Sequence, residues 1–238
     1  MVFISLCFIA FSAVDHQSPK KNNSQLQIQP QDRVLIIAPH PDDESIACAG
    51  VIRYCSENNI SVKIVVLTDG SLRGSTVTRH DETVAAMKFL GVKEENILFL
   101  GYKDSTLPSL LNKNWDMNNP YNISGTTNNG NYSFFYQENA TYSGEQLYAN
   151  LAEIVNKFQP TIIFYPDSED EQIDHWASNA FIEYVTAKTG YTGKKYTYIV
   201  HDPPSWPNPR NYNPNADLNP PSELTRIGYN WVYFPMNR

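Results

Sequence analysis

Positive charge, cysteine and long apolar runs are all scarce in this 238-residue chain. Its 18 Lys and Arg residues are outnumbered by 25 Asp and Glu residues, which gives a formal net charge of −7. This balance argues against a nucleic-acid partner, because the neutralisation of phosphates requires a basic face. No Gly-x-Gly-x-x-Gly motif follows the first predicted strand, so a dinucleotide-binding site is not supported either.

The cysteines are too few and too far apart for a disulfide framework. Cys7 lies in the N-terminal apolar run, whereas Cys48 and Cys55 share one predicted helix. Their spacing corresponds to about 10 Å along the helix axis, which is too long for a disulfide bond. We therefore predict that both are core residues and that the chemistry of the protein uses no cysteine.

The apolar run at residues 2–14 is shorter than the ~20 residues of a membrane-spanning helix and has the length of a signal-peptide core. It ends near the small residues Ser12 and Ala13, although no Lys or Arg precedes it. We expect residues 1–30 to be a leader and polar linker of an exported or membrane-anchored extracytoplasmic protein. Five Asn-x-Ser/Thr sequons also favour export. The alternative is a cytoplasmic protein in which this run is a short buried helix.

Predicted strands and helices alternate from residue 31 to residue 202. The strands end near residues 37, 67, 100, 165 and 200, and helices are predicted at 45–57, 77–89, 145–158 and from Asp174 onward. This order predicts an α/β domain with a Rossmann-like, doubly wound, mostly parallel sheet and helices on both faces.

Two regions depart from the alternation. Residues 102–143 are rich in Asn, Gly and aromatic residues, and we predict an irregular insertion at the carboxyl edge of the sheet. It either walls a substrate cleft or is a surface loop without a role. Residues 203–238 form a Pro- and Asn-rich tail without an assigned fold, which we expect to be the start of a longer element.

The segment Ala-Pro-His-Pro-Asp-Asp-Glu at residues 38–44 follows an apolar run that predicts a buried strand. Its two prolines prevent strand or helix from continuing, so a rigid turn presents its polar side chains where parallel sheets carry active sites. His40 and Asp43 can offer one nitrogen and one oxygen to a divalent ion. The alternative is an acidic turn that caps a helix through Asp43 or Ser45, with His40 simply exposed.

A second histidine, His175, stands at the start of a later helix, just after another predicted strand. Both loops should meet at one edge of the sheet. His40, Asp43 and His175 would then form a two-nitrogen, one-oxygen set that suits Zn²⁺ or another divalent metal and leaves one coordination position open. Taken alone, His175 would be an ordinary helix residue.

The chain resembles the PIG-L/LmbE-like zinc N-deacetylases, which remove acetyl groups from N-acetylglucosaminyl conjugates, over roughly residues 33–201. The motifs that carry the resemblance are His40-Pro41-Asp42-Asp43-Glu44, Thr68-Asp69-Gly70, Arg79-His80-Asp81-Glu82, Gly101-Tyr102-Lys103-Asp104 and Asp174-His175. The resemblance implies a metal-dependent amidohydrolase that acts on an amino-sugar conjugate. It also implies that His40, Asp43 and His175 are the metal ligands.

Further roles follow from the same resemblance. Asp42 is left free to act as the general base that takes a proton from water and returns one to the leaving amine. Arg79 and Asp104 match family positions that contact the sugar-bearing substrate, although Arg79 could instead be a solvated charge at the helix start or form an ion pair with Glu82. Asp174 is expected to hold an imidazole in its ligating tautomer, and Glu44 to do the same or to cap the helix.

One position departs from the family pattern. Many bacterial members carry an oxyanion-stabilising histidine three residues before the distal metal histidine, where this chain has Gln172. A glutamine amide can donate a hydrogen bond, but it carries no positive charge and cannot act as an acid. We predict His201 as a substitute, with His80 as a second candidate. The departure leaves open a catalytically weak or silent metal-containing carbohydrate-binding protein as the alternative to an active deacetylase.

Overall fold

The computed structural model describes residues 11–12, 24–201 and 229–234. Its elements in chain order are β1 (Phe11–Ser12), β2 (Ser24–Gln25), β3 (Arg33–Ala38), α1 (Asp43–Glu57), β4 (Ser61–Thr68), α2 (Thr76–Phe89), β5 (Ile97–Tyr102), α3 (Leu107–Asn112), α4 (Gly144–Phe158), β6 (Ile162–Pro166), α5 (Ile173–Thr189), β7 (Lys194–Tyr198) and β8 (Trp231–Tyr233). The sheet has the order β2-β8-β1-β7-β6-β3-β4-β5, and the five strands from β7 to β5 are parallel.

Strand β3 lies inside the parallel sheet, hydrogen-bonded to β4 on one side and to β6 on the other. Its apolar residues are fully buried because helices cover both faces, as continuous apolar runs in parallel sheets require. Val34 and Ile36 pack with α1 and α2, whereas Leu35 and Ile37 pack with α4 and α5. The predicted doubly wound α/β fold is therefore confirmed.

The region predicted as an irregular insertion contains a helix that the sequence analysis missed. Helix α3 begins two residues after Ser105 and has Pro108 in its first turn, where proline's missing N–H costs nothing. Beyond α3, isolated bridges tie the segment together, and one of them joins Phe135 to Phe99 of β5. The insertion is thus anchored on β5, the outer strand of the parallel part of the sheet.

Gly101 of β5 lies directly beneath the Phe135 ring, at a backbone φ of 70°. A Cβ atom at this position would lie 2.4 Å from a ring carbon, so Gly101→Ala combines a left-handed backbone with overpacking. We expect a loss of about 2 kcal/mol or more in unfolding free energy, measured by denaturant titration. Gly125 is a matched control, because its φ is 92° with no atom within 4 Å. Equal losses for both variants would exclude the Phe135 contact as the cause.

The far edge of the sheet involves short strands from both ends of the described chain. β1 pairs antiparallel with β7 and β8, and β2 pairs parallel with β8. Most of the predicted leader and of the tail at 203–238 lies outside the described residues, so the export leader stays a prediction.

Among the helices described here, none has the length and apolar character needed to cross a membrane. Cys48 and Cys55 are buried core residues, as predicted.

Candidate metal centre

The turn between β3 and α1 brings His40 and Asp43 to the carboxyl edge of the sheet. The carbonyl of Pro39 accepts hydrogen bonds from the backbone N–H and the hydroxyl of Thr68, at 2.9 and 2.8 Å, at the end of β4. On the other side of β3, the loop after β6 leads into α5, which carries His175 in its first turn. Because these neighbouring strands are parallel, both histidines reach the same edge.

His40, Asp43 and His175 come together around one carboxylate oxygen. Oδ2 of Asp43 lies 3.2 Å from Nδ1 of His40 and 3.1 Å from Nε2 of His175. Ligand atoms bound to a tetrahedral zinc ion at about 2.0–2.1 Å are roughly 3.3 Å apart. The two separations match this spacing, so the three side chains fit a divalent metal.

The far nitrogen of each imidazole faces a second carboxylate. Nε2 of His40 lies 3.1 Å from Oδ2 of Asp174, and Nδ1 of His175 lies 3.1 Å from Oδ2 of Asp170. A carboxylate in this position keeps the far nitrogen protonated and turns the lone pair of the near nitrogen toward a metal. Asp174 lies behind the imidazole of His40. Asp170 was missed, although it lies in the same acidic segment, five residues before His175.

The charges of the cluster also favour a cation. Neither ring nitrogen of the buried His175 makes a hydrogen bond of normal geometry, although both lie 3.1 Å from carboxylate oxygens. Burial lowers the pKa of His175, but Asp43 and Asp170 outweigh it and raise the value to about 9. Burial lowers the pKa of His40 as well, but Asp104 and other carboxylates outweigh it and raise the value to about 12. The carboxylates thus stabilise positive charge here, which a divalent ion can supply in place of protons.

Asp42 adopts backbone angles that residues with a side chain rarely have, φ 129° and ψ −28°. Such a conformation costs about 1–3 kcal/mol and is concentrated at functional sites. Burial and then the neighbouring Asp43 raise the pKa of Asp42, and an ion pair with Arg79 at 2.8 Å opposes that rise. A half-exposed carboxylate with a raised pKa is a suitable proton acceptor.

Glu44 stabilises the turn that carries Asp42. Its buried carboxylate accepts hydrogen bonds from the backbone N–H of Asp42 and the hydroxyl of Ser45, both at 3.0 Å. Burial raises the pKa of Glu44 to about 7. These contacts place Glu44 at the start of the helix and not against an imidazole, which is the second of the two roles predicted for it.

A cleft of about 310 Å³ opens over the cluster. The predicted site residues that line it are His40, Asp42, Asp43, Arg79, Asp104, Gln172 and His201. Leu72 and Arg73, which the sequence analysis did not single out, also contribute to its wall. The other predicted residues, His175, Glu44 and Asp174, are buried.

Gln172 is the N-cap of α5. Its Oε1 accepts hydrogen bonds from the backbone N–H groups of Asp174 and His175, the second at 3.2 Å. This cap fixes the amide so that its Nε2 lies 3.3 Å from Nε2 of His40, beside the cleft. The side chain therefore presents an N–H donor next to the cluster while its oxygen holds the helix.

His201 reaches the cluster from the end of β7. The strand ends at Tyr198 and not at residue 200 as predicted, so His201 follows it after a short extension. Its half-exposed ring packs edge-on against His175, with centroids 4.8 Å apart, and its Nδ1 lies 3.4 Å from Oδ1 of Asp170. Asp170 thus contacts both His175 and His201.

Of the other residues predicted from the sequence, Asp104 lines the cleft and His80 does not. Asp104 contributes an oxygen 3.5 Å from Nε2 of His40 and accepts a hydrogen bond from the Leu72 backbone at 3.3 Å. His80 instead stacks on Phe134 of the insertion, with ring centroids 4.0 Å apart, and does not line the cleft. The structure therefore separates His80 from the cluster.

Comparison with known proteins gives one family. The family model described as GlcNAc-PI de-N-acetylase matches residues 35–186. This range contains every predicted site residue except His201.

Two curated relatives match shorter stretches. A probable N-acetyl-α-D-glucosaminyl L-malate deacetylase of Bacillus anthracis is 34% identical over 86 residues, which are 31% of this chain and 37% of that protein. A diacetylchitobiose deacetylase of Thermococcus kodakarensis is 36% identical over 86 residues, which are 32% of this chain and 31% of that protein. The chain thus spans about a third of the length of each of these relatives.

Among solved structures, a conserved protein of Thermus thermophilus has the same fold. The TM-score is 0.50 with 20% sequence identity, and the match covers 73% of this chain and 68% of the other.

Proposed function

The chain belongs to the PIG-L family of GlcNAc-PI de-N-acetylases, and we propose that it is a metal-dependent hydrolase of the N-acetyl group of an N-acetylglucosamine-containing conjugate. The products are acetate and a free amine. The observation that carries this proposal is the convergence of His40, Asp43 and the buried His175 at a cleft whose lining includes His40, Asp43 and Asp42. The names of the two relatives, both deacetylases of amino-sugar compounds, support it.

The metal proposed is Zn²⁺, held by His40, Asp43 and His175. A two-nitrogen, one-oxygen set with a coordination position left open is typical of catalytic zinc. When bound, the ion supplies Lewis acidity toward the amide carbonyl.

The side chains around the proposed ligands carry out proton transfer, oxyanion stabilisation and substrate binding. Asp42 takes a proton from the attacking water and delivers one to the departing nitrogen, as its raised pKa allows. The Nε2 amide of Gln172 and the ring of His201 are two of the donors that the cleft lining offers to the oxyanion. Asp104 accepts a hydrogen bond from a sugar hydroxyl at the cleft wall, in keeping with its position there.

Acetate release tests the proposal. Purified protein should release acetate from at least one of GlcNAc-PI, N-acetylglucosaminyl L-malate and diacetylchitobiose, and a chelator should abolish the release until zinc is restored. The panel spans the conjugates named for the family and the relatives. No release from any of them, with the metal bound, would contradict the proposed function.

One observation favours the silent alternative. Gln172 uses its oxygen to cap α5, and its amide lacks the positive charge of the oxyanion-stabilising histidine that the family pattern has at this position. A carbohydrate-binding protein would bind diacetylchitobiose in calorimetry and release no acetate. Turnover at any rate that depends on His201 would instead exclude this alternative.

A further inference from the structure

Arg73 lies on the wall of the cleft, in the turn between β4 and α2. Its side chain is exposed, and it takes part in none of the ion pairs formed among the described residues. We propose that Arg73 determines aglycone specificity by binding an anionic group of the conjugate, a carboxylate or a phosphate. The inference rests on the proposed function, whose substrate it narrows to conjugates with a negatively charged aglycone.

The backbone of the turn that carries Arg73 is fixed by hydrogen bonds. Oδ1 of Asp69 accepts hydrogen bonds from the backbone N–H groups of Ser71 and Asp104, both at 3.1 Å. The N–H of Arg73 itself donates to the carbonyl of Gly70 at 3.1 Å. These bonds join the turn after β4 to the loop after β5. A contact made from such a preorganised backbone loses less conformational entropy when a ligand binds.

Two further contacts join the same turn and loop. The N–H of Leu72 donates to Oδ2 of Asp104 at 3.3 Å, and Nζ of Lys103 lies 3.4 Å from Oδ2 of Asp69. Arg73 therefore follows directly after a residue whose backbone is bonded to Asp104, the residue proposed to bind a sugar hydroxyl. Its long side chain starts beside the sugar position, where the aglycone of the conjugate is attached.

The charge of Arg73 distinguishes it from the other arginine that lines the cleft. Arg79 lies 2.8 Å from a carboxylate oxygen of Asp42 and 3.2 Å from one of Glu82. Arg73 has no carboxylate partner within the described part of the chain. An anionic group of the substrate would be repelled by the carboxylates of the cleft unless a cation met it. The planar guanidinium of Arg73 can donate two parallel hydrogen bonds to a carboxylate or a phosphate.

Discrimination between charged and neutral conjugates tests the role of Arg73. We compare kcat/KM for N-acetylglucosaminyl L-malate, which carries carboxylates, with kcat/KM for the neutral diacetylchitobiose. Arg73→Gln should lower the ratio of the first to the second by about fivefold or more, because a charge-assisted pair is lost. Arg73→Lys should lower it less, since the charge remains without the planar fork. GlcNAc-PI, in a water-soluble short-chain form, replaces the carboxylates by a phosphodiester and shows which anion depends more on Arg73.

Arg53→Gln is the matched control for this experiment. It removes the same charge from an exposed arginine that does not line the cleft, so the ratio should stay unchanged. The proposal is overturned if Arg73→Gln leaves the ratio unchanged for both anionic conjugates. An equal fall in Arg73→Gln and Arg53→Gln would also overturn it, because net charge alone would then explain the effect.

Calorimetry in the Asp42→Asn background, with zinc bound, tests Arg73 while turnover is suppressed. Arg73→Gln should raise the Kd for at least one of the two anionic conjugates by about fivefold at low salt, and the difference should shrink as salt is added, because exposed charges are screened. No binding of either conjugate, or equal Kd values with and without Arg73, would refute the inference. If the wild-type protein releases no acetate while binding depends on Arg73, the proposed function fails and the anion site stands.

Discussion

The wild-type protein is expected to bind about one divalent ion per chain, and replacing His40 or His175 by alanine is expected to remove most of it. Each imidazole supplies one nitrogen to the proposed set of three ligand atoms. These nitrogens, of His40 and His175, lie 3.2 and 3.1 Å from the third atom, Oδ2 of Asp43. Loss of one ligand should weaken metal binding by on the order of 10²-fold or more. Elemental analysis after dialysis against a defined free zinc concentration gives the stoichiometry.

His80→Gln is the matched control for this experiment. His80 packs on Phe134 away from the cleft, so its removal should leave the metal content unchanged. His40→Ala is the cleaner of the two ligand variants, because His40 is partly exposed whereas His175 is fully buried. Full metal occupancy in both variants, with circular dichroism showing a retained fold, would remove this cluster as the binding site.

Asp42→Asn is expected to keep its metal and to lose turnover by on the order of 10²-fold or more. The amide has the size of the carboxylate and tolerates positive φ about as well, so the turn should survive the change. What it lacks is the ability to accept a proton from water. Single-turnover acetate release, compared with the metal content of the same sample, separates the two effects.

Asp43→Asn provides the contrast, because its Oδ2 lies between the two imidazoles and its loss should weaken metal binding first. An Asp42→Asn protein that loses the metal would show that the roles of the two carboxylates are exchanged. One that keeps both metal and normal rate would assign proton transfer to another group, with Glu44 and His201 the next to replace.

Local pattern was sufficient for most of the fold. The continuous apolar run of β3 and the alternation of strands and helical periods predict a parallel sheet, and the structure has it. Helix α3 was missed because it has only six residues and lies in a region whose composition resembles a loop. β7 ends at Tyr198 and not at residue 200 as predicted, because strand propensity alone does not define where strand pairing stops.

The candidate site, like the fold, was predictable from the sequence only in part. His40, Asp43 and His175 could be predicted because parallel strand ends share an edge. Asp170 could not be paired with His175, because the pairing depends on how the loop after β6 folds back. The ion pair between Arg79 and Asp42 joins residues 37 positions apart through a side-chain rotamer, which no local pattern specifies.

Asp174 connects the candidate metal centre to the first residues of the insertion. Its carboxylate accepts hydrogen bonds from the backbone N–H of Ser105 at 2.6 Å and of Leu107 at 3.0 Å, while it faces His40. These bonds are complete before residue 113, so the orientation of His40 does not depend on the sequence of the rest of the insertion. Natural selection or an engineer can therefore exchange that stretch as a module while these contacts of Asp174 are inherited unaltered.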